Sequence, residues 1–140
     1  MLKKIKKKIL LIGGGGHARV LIDLIQSKKV FSIHGILDPN IKKGKIICGF
    51  KVLGDDNELE ELQKKGFLNL ALGVGSKGNN YLRFKIWKKL ISKGFIFPKL
   101  IHKNSYISKF AVISEGSQIF NQSIINSGSY VGKNSVINNN

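Results

Sequence analysis

The chain has 140 residues, 42% of them apolar, and 24 Lys and Arg against 8 Asp and Glu give it a net charge of +16. That length bounds it to one domain, or a small domain with an appendage, with enough apolar content for a folded core. No apolar run approaches the roughly 18 residues of a membrane span, the single Cys48 excludes a disulfide framework, and the lysine-dominated charge lacks the arginine and aromatic signatures of nucleic-acid modules.

The start, "MLKKIKKKILLIGGGG", has a charged head, but its apolar run is only Ile9 to Ile12, against roughly 7 to 15 residues in a signal peptide. It reads as a basic tail leading into a strand covered on both faces, with weak attraction of "KKIKKK" to anionic membranes as a further reading. After the glycines, Ala18, Leu21, Ile22 and Ile25 recur at helical spacing. "FSIHGILDPN" is a second strand ending at Asp38. "LGDDNELEELQKKG" predicts a helix capped by Asp55 or Asp56, with Lys64 and Lys65 in its last turn and Gly66 as its stop. "LNLALGVG" is another buried strand. "NNYLRFKIWKKLISKG" predicts a helix with Leu82, Ile86 and Leu90 on one stripe, stopped by Gly94. Strands alternating with helices imply a parallel α/β sheet, a small Rossmann-like domain over residues 1–98.

Over residues 99–140 the pattern changes to a period of six. Ile101, Ile107, Ile113, Ile119, Ile125, Val131 and Ile137 are evenly spaced, and Ser105, Ala111, Ser117, Ser123, Ser129 and Ser135 each stand two residues before an aliphatic position. A left-handed parallel β-helix explains this: three hexapeptides, about 18 residues, complete a triangular coil, with one aliphatic residue filling the interior per side. The preceding residues, Tyr106, Val112, Gln118, Ile124, Tyr130 and Val136, are expected to point outward, with Tyr106 beside Ile124 and Val112 beside Tyr130. Those two apolar ladders suggest a surface covered by another subunit. Residues 101 to 137 supply about two coils, so the chain is expected to be the front part of a longer protein.

"GGGGHA" fits G-x-G-x-x-A through Gly13, Gly15 and Ala18, after a buried strand and opening a helix, the context in which glycines let backbone amides approach phosphates. Asp38 ends the next strand, placed for a ribose or base. An NAD(P) site is the obvious reading, but fewer than 100 residues precede the solenoid, too few for two mononucleotide halves, so a single nucleotide fits better. His17 lies in the turn, either touching a phosphate or sugar or facing solvent. Asn80 and Arg83 follow "ALGVGS" at the carboxyl edge of the sheet, either holding a nucleotide or serving as a cap and a solvated cation. His34 reads as a structural strand residue and His102 as a junction residue. Cys48 reads as a small buried apolar side chain. No pair among these has metal-ligand spacing, so no metal is expected. The positive charge suits phosphate-bearing small molecules; neither nucleic-acid binding nor membrane insertion is expected.

The order "ILLIGGGGHARVLIDLI", "GILDPN", "GFKVLGDDNELEEL", "ALGVGS…NNYLR", "GFIFPKLIHKNSYIS" and then hexapeptides resembles the bacterial sugar acetyltransferases of the NeuD/PglD type, over essentially the whole chain. These include sialic acid O-acetyltransferases and N-acetyltransferases of nucleotide-linked 4-amino sugars. The resemblance implies an acetyl-CoA-dependent transferase of surface glycan biosynthesis, forming a homotrimer through its β-helix, and the lone Cys48 fits the redox setting of the cytoplasm. The same resemblance implies that Gly13, Gly14, Gly15, Gly16 and His17 hold the pyrophosphate of a nucleotide sugar, Asp38 lies near the uridine, and Ser76, Asn80 and Arg83 close the site. The acetyl donor would bind along the solenoid. The histidine serving as general base in such enzymes, beside an acidic residue, falls past Asn140. "GVGSKGNNYLR" is longer than the family's usual link, which bears on Ser76 and Asn79, and "IHK" replaces a common "IHP". The competing readings are a non-catalytic nucleotide-sugar-binding scaffold and a nicotinamide-dependent oxidoreductase.

Overall fold

The computed structural model describes residues 2–76 and 78–139. Strand β1 (Lys7–Ile12) lies between β2 (Phe31–Leu37) and β5 (Leu70–Leu72), parallel to both. Successive strand side chains point to opposite faces. Ile9 and Leu11 therefore pack with Ala18, Leu21 and Ile22 of helix α1 (Gly16–Ser27). Leu10 and Ile12 face the other way, onto Leu59 of α2 (Glu58–Lys64) and Leu90 of α3 (Tyr81–Ser92). A strand covered on both faces needs apolar residues at every position, which is why "ILLI" is continuous.

The sheet order is β3-β4-β2-β1-β5, with β3 (Ile46–Ile47) antiparallel to β4 (Phe50–Gly54) and β4 parallel to β2. No strand is expected at β3 or β4 from the sequence pattern. Both are short and lie at the sheet edge, with Lys51 facing solvent and only Val52 fully buried in β4, so neither has the continuous run of a central strand. Cys48 at φ 48° and Gly49 at φ 86° are the two central residues of the turn between them, the pairing that two-residue hairpins favour. Cys48 is exposed at that tip, which corrects the expectation of a buried thiol.

Two helix expectations also change. Helix α2 starts at Glu58, later than a cap at Asp55 or Asp56 would give; Asp55 Oδ1 instead accepts the Asn57 amide at 2.9 Å, closing a turn ahead of the helix. In α3 the inward stripe is Arg83, Ile86, Trp87 and Leu90, whereas Leu82 is 56% exposed. A buried arginine occupying an inner helical position disguised the true face. Gly66 and Gly94 follow the two helices as expected.

The solenoid strands are β6 (Leu100–Ile101), β7 (Tyr106–Ile107), β8 (Val112–Ile113), β9 (Gln118–Ile119), β10 (Ile124–Ile125), β11 (Tyr130–Val131) and β12 (Val136–Ile137). Backbone amides donate to carbonyls 17 residues ahead: Leu100 to Ser117 at 2.9 Å, Tyr106 to Ser123 at 3.0 Å, and Val112 to Ser129 at 2.9 Å. The resulting three parallel ladders, β6–β9–β12, β7–β10 and β8–β11, are the three sides of a β-helix. Ile113, Ile119, Ile125 and Val131 form one buried cluster joined by Ile101, Ile107 and Ile137, so the sixfold aliphatic positions share a dry interior. A third phase is visible only in the backbone. Gly116, Gln122, Gly128 and Asn134, six residues apart, take φ values of 73°, 61°, 79° and 54°. They form coil corners, where the left-handed conformation favours glycine and tolerates asparagine.

Outward residues behave differently on different sides. Tyr106, Val112, Ile124 and Tyr130 are exposed, but Gln118 is only 1% exposed. Its ladder lies against the α/β sheet, with Leu100 and Phe120 inside the same core cluster as α1 and Val136 packed on it. Gln118 points out of the coil, as expected, but into the rest of the protein.

Replacing Ile119→Ala, wholly buried in the coil interior, is expected to lower stability by ~3 kcal/mol, as buried aliphatic truncations do. Val20→Ala, at a half-exposed helical site, is expected to change it by less than ~0.5 kcal/mol. Urea unfolding midpoints check both, and equal effects would contradict the packed interior.

Candidate functional site

After β1 the chain runs into α1, and after β5 into α3. Because β2 and β5 lie on opposite sides of β1, the two loops diverge at the carboxyl edge of the sheet, where open α/β sheets bind ligands. Backbone bonds fix their roots: the Gly13 amide donates to Leu37 O at 2.8 Å and the Gly73 amide to Ile12 O at 2.7 Å. Gly13 has φ +96°, and a Cβ there would lie 2.9 Å from Val74 Cγ2; one on Gly73 would collide with the carbonyl oxygen of Gly13. The two loops approach more closely than any side chain permits. Beyond that contact they enclose a cleft of about 620 Å³, lined among others by Gly15, Gly16, His17, Asp38, Asn40 and Ser76. That volume suits a small ligand.

The floor of the cleft is rich in donors. Helix α1 begins there with Gly15 as its N-cap, no side-chain cap bond and no acid in its first turn, so its positive end is left for an anion. A Cβ on Gly15 or Gly16 would meet nothing within 4 Å, so those amides are open to approach. Asp38 shapes the loop as well as lining it: Oδ2 accepts the Gly14 amide and Oδ1 the Asn40 amide, each at 2.8 Å. Gly14 itself is packed rather than open; a Cβ on it would lie 2.9 Å from Ile41 Cδ1.

His17 bridges the two parts of the molecule. Its Nε2 lies 2.8 Å from Gln118 Oε1, and its ring meets Phe120 edge-on at 5.5 Å. Burial lowers its pKa below the ordinary 6.5, the bond to Gln118 acts against that, and the charge of Arg83 adds to the lowering. The Gln118 amide in turn donates to Leu72 O at 2.9 Å.

The remaining expected residues divide. Ser76 lines the cleft, as does Asn79, whose Oδ1 accepts the Tyr81 amide at 3.1 Å. Asn80 stands at the N-cap of α3 with no side-chain cap bond and does not line the cleft. Arg83 is 2% exposed and lies beneath the loop rather than in the opening. Its Nη1 donates to Leu72 O at 3.2 Å and Val74 O at 2.8 Å, and its Nε to Asn134 O at 3.4 Å. Burial lowers its pKa to about 10, leaving it charged at neutrality. Arg83 thus positions the β5 loop against the solenoid in place of the direct ligand contact expected of it. His34 is exposed and lies against Phe67, with ring centroids 4.3 Å apart. His102 is buried at the junction, its Nδ1 accepting the Asn104 amide at 3.1 Å. No cluster of metal-ligating side chains occurs among the described residues.

Gln118, Asn40 and the Gly73–Gly75 segment escaped the sequence reading. One signal for Gln118 was present: it is the single polar residue in an outward phase otherwise filled by Tyr106, Val112, Ile124, Tyr130 and Val136.

The family described as the PglD N-terminal domain matches residues 8–90. The UDP-N-acetylbacillosamine N-acetyltransferase of Bacillus subtilis (strain 168) is 30% identical over 115 residues, 81% of this chain and 51% of that protein. Among solved structures, a point mutant of perosamine N-acetyltransferase from Caulobacter crescentus, in complex with CoA and GDP-perosamine, superposes with a TM-score of 0.86 at 30% identity, covering 94% of this chain and 60% of the other. The acetyltransferase domain of PglB from Neisseria gonorrhoeae FA1090, in complex with acetyl coenzyme A, gives 0.83 at 28% identity, covering 95% and 62%. The chain therefore spans about half the length of the curated relative and three-fifths of these structures.

Because the folded His17 resists its proton while an unfolded imidazole takes one near its ordinary value, stability is full above pH ~6.5 and lost as pH falls through the lowered value. His34, lowered by burial and by Lys8 and Lys65, acts in the same direction. Melting temperature is expected to fall between about pH 7.5 and 5.5, and His17→Gln to flatten part of that slope. An unchanged slope in the variant would contradict the assignment.

Proposed function

This chain belongs to the PglD N-terminal domain family, and on that premise we propose that it is the nucleotide-sugar-binding part, with the first solenoid coils, of an acetyl-CoA-dependent sugar acetyltransferase. The observation that carries this reading is the cleft: open amides at Gly15 and Gly16 on a helix N-terminus, opposite the Gly73–Ser76 loop, at the switch point of the sheet. A diphosphate suits those donors, with the nucleoside toward Asp38 and Asn40 and the sugar toward His17. The acceptor is proposed to be an amino sugar, since the relatives named above are N-acetyltransferases of UDP- and GDP-linked sugars by their own descriptions. In such a transfer the sugar amine attacks the thioester carbonyl, the carbon–sulfur bond breaks, CoA leaves as its thiol and a base takes the amine proton.

Two of the three histidines do not suit that base: His102 is buried at the junction, and His34 lies on the strand surface beside Phe67. The base is proposed to stand past Asn140, where the family resemblance puts it. Acetyl-CoA is proposed to bind along solenoid sides not covered by the chain's own α/β domain. The β-helix offers two such sides, carrying the exposed pairs Tyr106–Ile124 and Val112–Tyr130, and these support a trimer joined through the solenoid. The boundary between the two parts is proposed near residue 98. No helix among the described residues is long and apolar enough to cross a membrane, and work on nucleotide sugars and acetyl-CoA suits the cytoplasm.

Gly15→Asp tests the reading. Gly15 has φ −78° and open space around its Cβ, and aspartate is a favoured N-cap, so the variant is expected to fold with equal or greater stability. Its carboxylate would occupy the anion position, weakening UDP and GDP at least tenfold by calorimetry. Undiminished nucleotide affinity in the folded variant would refute the cleft assignment.

A further inference from the structure

The two ends of the Gln118 amide face different parts of the cleft wall, and together they determine the state of His17. A backbone carbonyl can only accept, so the end facing Leu72 O at 2.9 Å is the NH2 group. The other end is then the oxygen, which also only accepts, 2.8 Å from His17 Nε2. That nitrogen must carry the hydrogen. A neutral imidazole with its hydrogen on Nε2 has a bare lone pair on Nδ1. Gln118 is 1% exposed, so solvent does not compete for its amide, and burial of His17 favours the neutral ring. On the Nδ1 side of the ring the Gly75 backbone packs over the base of the side chain: a Cβ built on Gly75 would lie 3.4 Å from His17 Cβ, 3.7 Å from Cγ and 3.9 Å from Nδ1, and both residues line the cleft. Nδ1 takes no hydrogen bond from any described residue.

Resting on the reading of the cleft as a nucleotide-sugar site, we infer that Gln118, a residue of the solenoid, is a positioning residue that holds His17 as a hydrogen-bond acceptor at Nδ1, and that His17 thereby selects ligands presenting a hydroxyl or amine hydrogen. An ionised phosphate offers only acceptors, so it is turned away from Nδ1 and left to the amides of the glycine turn. The cleft would thus divide its ligand, phosphates to the helix N-terminus and a donor group of the attached sugar or ribose to His17.

Two measurements test this. Long-range proton–nitrogen spectra of the histidine-labelled protein at pH 7.5 are expected to show His17 neutral with its hydrogen on Nε2, a result that needs neither a variant nor a ligand. Titrations with inorganic pyrophosphate, UDP and UDP-N-acetylglucosamine then compare the protein with Gln118→Met, His17→Phe and His17→Asn. The first two are expected to weaken UDP-N-acetylglucosamine about fivefold, the scale of one hydrogen bond, and to leave pyrophosphate within about twofold. His17→Asn, which returns an acceptor near Nδ1, is expected to recover part of the loss. A hydrogen on Nδ1, an imidazolium at that pH, or equal losses for pyrophosphate and the sugar nucleotide would overturn the inference. Failure of all three ligands to bind would instead refute the nucleotide reading and with it the ligand contact, while the spectrum alone decides the tautomer.

Discussion

A buried amide must satisfy both of its polar ends, and in this protein that requirement joins the two halves of the chain. Gln118 leaves the solenoid through its outer face and enters a dry seam, where an unmatched amide would cost roughly 1–3 kcal/mol. It meets the demand with His17 on one side and the Leu72 carbonyl on the other, residues at the ends of the two loops that form the cleft. The cleft geometry is thus set partly by a residue about a hundred positions away in sequence. Arg83 repeats the arrangement from the sheet side, its guanidinium donating to Leu72 and Val74 and, across the seam, to Asn134. A buried cation is costly unless its donors are matched, and three backbone carbonyls supply most of that match.

The apolar packing makes such a seam possible. One ladder of the solenoid, with Leu100 and Phe120, shares a core cluster with α1 and the odd-numbered residues of β1. Helix α1 is therefore held between sheet and solenoid, and its N-terminus, which forms the floor of the cleft, is fixed from both sides. Acidic residues are few and unevenly spread along the chain. Five of the eight acidic residues fall in the Asp55–Glu61 stretch, and none lies between Glu61 and Glu115. Asp38 is the acid that lines the cleft, and it already accepts two backbone amides. A net charge of +16 raises the local concentration of phosphate-bearing ligands without specifying any of them.

Much of this was legible in the sequence because it follows from periodicity. The run "ILLI" marks a strand covered twice, and Ile101 to Val131 mark a coil interior, since burial there depends only on local repetition. The glycine turn was legible because strand, turn and helix are contiguous. The missing parts depend on long-range contact. Leu82 and Arg83 exchange their expected roles because Arg83 finds carbonyls from β5 and the solenoid, which no window over α3 contains. Strands β3 and β4 lie at an edge, where few buried positions leave little pattern. Gln118 was inseparable from a surface residue until the fold set its ladder against α1, although its polarity among apolar neighbours in the same phase was the trace of that contact.

The glycine-floored cleft, braced by the solenoid, is proposed to receive the phosphates and sugar of a nucleotide sugar. Backbone hydrogen exchange with and without UDP-N-acetylglucosamine tests it most directly, because it reports every amide at once. Protection is expected at Gly14–His17 and Val74–Ser76, with Ile124, Ile125 and Tyr130 on the far ladders unchanged. Protection confined to the solenoid, or none at the glycine turn under saturating ligand, would contradict it.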